Sequence, residues 1–169
     1  MLARNEVIFK WVLYSAATLL CLLLQGLLQR ATVWGVIPFL YPMLAAIPAT
    51  YESPAPAGFF ALCLGICCDL VLPEVIPCFY TLVFPLIALV ASHISRGLLP
   101  AGLLCSLAVS AAAFLMTDLF RCFLLMLEGH RPWLAGLSIL VREFLISAPL
   151  LIPVTWLYRT VARKVHTYD

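Results

Sequence analysis

The sequence predicts an all-α, polytopic membrane protein with six transmembrane helices. Three observations carry that expectation. Of 169 residues, 64% are hydrophobic and only 11% are charged, where a soluble domain carries about 25% charge. The apolar runs are long, close to the ~20 residues a helix needs to cross a bilayer. Strict apolar–polar alternation is absent, which excludes barrel strands and leaves helices as the only spanning structure.

The expected spans form a single domain over 1–169, at about 8–28, 33–50, 57–72, 78–91, 101–127 and 133–158, with a basic tail over 159–169. The first begins after Arg4 and contains Lys10, which can snorkel to the interface. Residues 29–32 (QRAT) lack a small-x-small cleavage pattern, so this run is read as an uncleaved span. Span 2 carries Pro38, Pro42 and Pro48. Each proline removes a backbone donor, so a kink is expected, with neighbours satisfying the freed carbonyls. A polar loop, YESPAP, leads to span 3. Span 4 follows the turn Pro73–Pro77, and the loop at 93–100 leads to span 5. The sequence EGHRP at 128–132 turns span 5 into span 6.

Six crossings place both termini on one side of the membrane. With the N-terminus cytoplasmic, Arg4, Lys10, Arg96, Arg159, Arg163 and Lys164 lie inside, against Arg30 and Arg131 outside, as the positive-inside rule asks. Trp11 and Trp156 then fall at inner ends and Trp34 and Trp133 at outer ends, in the pattern of an aromatic belt.

Chemistry concentrates on few residues. On span 3, Ala57, Ala61, Gly65 and Asp69 recur every four positions, one helical stripe of small residues ending in an acid. Such a stripe lets another helix approach closely in lipid. Asp69, Asp118, Arg121, Arg142 and Glu143 lie inside expected spans. An Asp or Arg at a helix centre costs about 2.5–3.5 kcal/mol to insert, so these groups must be paired, hydrated or near an interface. Asp118 and Arg142 each lie ~14 Å from the outer ends of consecutive antiparallel helices, which makes them the natural ion pair, with Arg121 left for Glu143 or for the outer interface. The cluster suits either an electrostatic clamp that orders helices or an outward-facing site for a small ligand. The clamp is the commoner use of paired intramembrane charge.

The seven cysteines sit in or beside apolar runs, without metal-ligand spacing, and read as small hydrophobes. HExxH, GxSxG and glycine-rich phosphate loops are absent. His93, His130 and His166 fall in loops or the tail, on opposite sides of the membrane. The expectation is a non-enzymatic protein with no cofactor and no metal.

The run from Pro38 to Ile94, PFLYPMLAAIPATYESPAPAGFFALCLGICCDLVLPEVIPCFYTLVFPLIALVASHI, resembles the centre of the rod shape-determining protein MreD family. The likeness rests on the proline-bearing second span and on Gly58, Gly65, Asp69 and Leu70 in the GF…GxxxDL third span. The acid at Asp118 and the basic tail are also similar. Where the family often has glycines in the next turn, this chain has Pro73 and Pro77. The resemblance implies a non-enzymatic scaffold subunit, in the cytoplasmic (inner) membrane of a bacterium, of the cell-elongation machinery that serves peptidoglycan synthesis. Its direct partner would be an MreC-like bitopic protein, with actin-like MreB and the wall-synthesising enzymes reached through it. Ala57, Gly58, Ala61, Gly65, Asp69, Asp118, Arg121, Arg142 and Glu143 would then be structural or partner-binding. The family's fold is similar to the substrate-capture subunits of energy-coupling-factor vitamin transporters, which supplies the alternative function. The Ala-xxx-Ala docking motif of those subunits is absent, because Ala16 and Ala17 are followed at i+4 by Leu20 and Cys21.

Overall fold

The computed structural model describes residues 2–30, 35–72, 76–129 and 133–166. Six helices follow in order: α1 (Leu2–Leu28), α2 (Tyr41–Ala49), α3 (Pro54–Val71), α4 (Phe79–Gly97), α5 (Leu103–Leu127) and α6 (Trp133–His166). Among the described residues there is no strand, and five of the helices are long and apolar enough to cross a membrane. The chain is therefore all-helical, and a multi-pass membrane protein by length and composition. The expected Trp34 and Trp133 side chains, the Pro73–Val75 part of the turn and His130–Pro132 lie outside what the structure describes.

The remaining helix, α2, departs from expectation. In place of a kinked span over 33–50, α2 is a nine-residue helix reached through a non-helical stretch at 36–40. The prolines account for this. Pro38 pushes the residue before it out of the helical region, whereas Pro42 sits in the first turn, where its missing N–H costs nothing. Irregular backbone within an apolar bundle must be satisfied by protein, and two side chains do this. Gln25 of α1 donates from Nε2 to the Pro38 carbonyl (2.8 Å) and accepts from the Leu40 N–H at Oε1 (2.9 Å). Ser147 of α6 accepts from the Phe39 N–H at 2.9 Å.

All nine residues of α2 are buried, as a helix apolar on every side requires. It is the central stave. The others surround it in the order α1, α6, α5, α4, α3, each packed on its neighbour and on α2. The ring stays open between α3 and α1, which make no close backbone approach. A groove of about 410 Å³ lies there, walled by Trp11, Leu19 and Leu22 on one side and Phe59, Cys63 and Cys67 on the other. Aromatic rings bridge it: the Phe60 ring centroid stands 6.0 Å from that of Trp11 and 6.4 Å from that of Tyr14.

Candidate functional site

The stripe on α3 is buried as expected: Ala57 is 3% exposed, Ala61 is fully covered and Gly65 is buried. At Gly65 the structure identifies the helix lying against it as α4 of the same chain. A Cβ built on Gly65 would stand 2.6 Å from the Tyr80 carbonyl oxygen and 2.8 Å from the Thr81 Cα. Only glycine allows that approach. Gly58 is off the packed face, half-buried with open space around its Cα.

One turn beyond Gly65, the same geometry explains Asp69. Helix α4 opens after Cys78, a non-glycine residue at φ 63° whose side chain provides no cap. Its first N–H groups would be orphaned. Asp69 accepts from the Tyr80 N–H at Oδ1 (2.9 Å), and from the Thr81 N–H (2.8 Å) and Thr81 hydroxyl (2.6 Å) at Oδ2. A carboxylate of α3 thus caps α4, at the end where the helix dipole favours negative charge.

Tyr80 carries the connection onward. Its ring packs 5.1 Å from both Phe79 and Phe84, and its hydroxyl lies 3.3 Å from Arg121 Nη2 on α5, which donates to it. Arg121 Nη1 also bonds Asp118 Oδ1 at 3.2 Å. Asp69, Tyr80, Arg121 and Asp118 therefore tie α3, α4 and α5 together at one end of the bundle. This corrects the expected Asp118–Arg142 pair: equal depth brings the two close only if both face inward. Asp118 is 6% exposed on the buried stripe of α5, whereas Arg142 is exposed on α6. Glu143 is half-buried and has a contact of its own. Helix α6 meets α5 closely at Gly136, where a Cβ would run into the Cys122 sulfur.

A second ionic site, at the other end, was not anticipated. Lys10 Nζ and Glu52 Oε2 are 2.6 Å apart, with side chains 22% and 8% exposed. Arg96 donates to the Glu52 carbonyl at 3.3 Å. Close by, Tyr158 stacks on Tyr14, and its hydroxyl shares a 2.7 Å hydrogen bond with Thr18. Burial pushes the neighbouring Tyr51 phenol above its usual range, and the cations of Arg159 and Arg163 oppose that shift. The available signal was the single acid of YESPAP, with Lys10, about two turns into α1, expected on the same side of the membrane.

Both clusters join helices; neither assembles three metal-ligating side chains among the described residues. Ser147 also joins helices, by holding the approach to α2. No protein-family model, curated protein or solved structure matches this chain.

Proposed function

We propose that this protein is a membrane scaffold subunit of the kind its resemblance to the MreD family implies. It would sit in a bacterial cytoplasmic membrane with both termini inside and engage an MreC-like bitopic protein. The observation that supports this reading is how the motif residues are used. Gly65 and Asp69, two of the positions that carry the resemblance, lock α3 to α4 through a close backbone approach and a three-bond cap. With Arg121 bound to Asp118 and Tyr80, the acids that could have met an outside ligand serve the bundle instead. A helical body whose buried acids are committed to its own helices suits a platform for other membrane proteins. The vitamin-capturing alternative asks for polar groups left open to a ligand.

The test is depletion in a rod-shaped host, combined with affinity purification from its membranes. Rounded cells and co-purification of the MreC-like protein are expected. Unchanged cell shape, with a vitamin retained at one-to-one stoichiometry, overturns the scaffold and installs the transporter subunit.

A further inference from the structure

Charged residues within membrane spans face the bundle interior, line water or pair with one another. Asp118, Arg121, Lys10 and Glu52 obey this rule. Arg142 does not. It is exposed on α6, and no described residue gives it a hydrogen bond or an ion pair. It lies nine residues below Trp133, ~14 Å along the axis. The outer lipid phosphates are therefore more than two helical turns above, while a helical side chain leans only over the turn before its own Cα.

The surface around Arg142 is equally uncovered. Only 17% of the most apolar window of α6 is buried, against 44% for α4 and for α5. Below Arg142, the exposed side continues through Leu145, Pro149, Ile152 and Trp156. Their alternating three- and four-residue steps form the ridge on which a second helix seats at a shallow angle. The face is apolar except for one guanidinium, a planar fork that matches a carboxylate with two parallel hydrogen bonds.

We infer that this face of α6 docks a single-pass transmembrane helix of a partner protein, and that the partner presents an aspartate or glutamate at the depth of Arg142. The inference rests on the scaffold reading and names the contact face and the partner's chemistry. In that complex the carboxylate neutralises Arg142, and the partner's small or aliphatic side chains cover Leu145 and Ile152.

The test uses the full-length protein in phosphatidylcholine vesicles with three synthetic leucine-rich transmembrane peptides. They carry Asp, Asn or Leu at the matching depth, and association is read by energy transfer. The Asp peptide is expected to associate at least tenfold more tightly than the other two. Arg142→Leu should abolish that preference, and Arg142→Asp should transfer it to a fourth peptide that carries Lys at the same depth. If the variants fail to fold, the Asp-against-Asn comparison on the unaltered protein still decides. Equal binding of Asp and Asn peptides, Asp selectivity surviving in Arg142→Leu, or self-association through Arg142 with no peptide bound each overturn the docking face. Lost selectivity with intact co-purification of the MreC-like protein rejects this face and spares the scaffold. Retained selectivity without co-purification does the reverse.

Discussion

Asp69 and Arg142 carry opposite charges on two membrane-length helices, and the fold treats them in opposite ways. Asp69 is consumed: three donors of α4 surround its carboxylate, and Gly65 holds the two backbones close enough for it to reach. Arg142 is presented: it stands on the least covered long helix with no described partner. The difference separates charge that builds the protein from charge available to another molecule. Burying a charge is tolerable when hydrogen bonds replace its hydration, as at Asp69. A charge that no described residue matches is one that an outside group can neutralise.

The comparison breaks most readily at Gly65. Gly65→Leu adds a branched side chain where even a Cβ meets backbone at 2.6 Å. Backbone cannot rotate aside as a side chain can, so α3 and α4 must part. Overpacking of this kind costs about 3 kcal/mol or more. The expected result is loss of most folded protein from the membrane, read by accumulation and by thermal unfolding in detergent. Normal levels would mean that α3 and α4 do not pack closely here.

Asp69→Ala comes next. It strands the Tyr80 and Thr81 N–H groups at the start of α4, and losing hydrogen bonds to a charged acceptor costs about 2–3 kcal/mol. Asp69→Asn keeps one acceptor oxygen and should recover part of the loss. If alanine and asparagine behave alike, capping is not what Asp69 does.

The ionic contacts should show smaller, coupled effects. Asp118→Asn and Arg121→Met are each expected to destabilise, and the double change should cost about 1–2 kcal/mol less than the sum of the singles. Glu52→Gln and Lys10→Met form a parallel cycle at the opposite end. Lys10 is partly exposed and can return to water, so its loss should weigh less than that of Glu52. Strict additivity in either cycle would remove that pair from the account.

Much of this was legible in the sequence, and what was hidden has a physical cause. Hydropathy and length locate α1, α3, α4, α5 and α6 because a spanning helix leaves an unbroken apolar run. Spacing also placed Ala57, Ala61, Gly65 and Asp69 on one stripe. What spacing could not give was the identity of the neighbour, since several helices were candidates to fill it. Depth along a helix follows from counting residues, but pairing also depends on rotation about each axis, and there the Asp118–Arg142 expectation failed. Glu52 reads in the sequence as a loop acid in contact with water, whereas its side chain is buried. The shortening of α2 could be read from its prolines only by knowing that Gln25 and Ser147 stand ready to satisfy the freed backbone.

The smallest stability effect is expected at Arg142, and it is the sharpest test of the comparison. If this residue serves only an outside partner, the isolated protein gains nothing from its charge. Arg142→Leu then replaces a lipid-facing guanidinium with a side chain suited to lipid, and insertion scales credit such an exchange with about 3 kcal/mol. Part of that credit is already recovered in the native protein, because water follows a charge into the membrane. The purified variant should therefore unfold at the same temperature as the parent or slightly above it, while Asp69→Ala measured alongside falls well below. A loss at Arg142→Leu as large as that at Asp69→Ala would place a partner for Arg142 inside the chain. The guanidinium would then count with Asp69, among the charges that hold the bundle together.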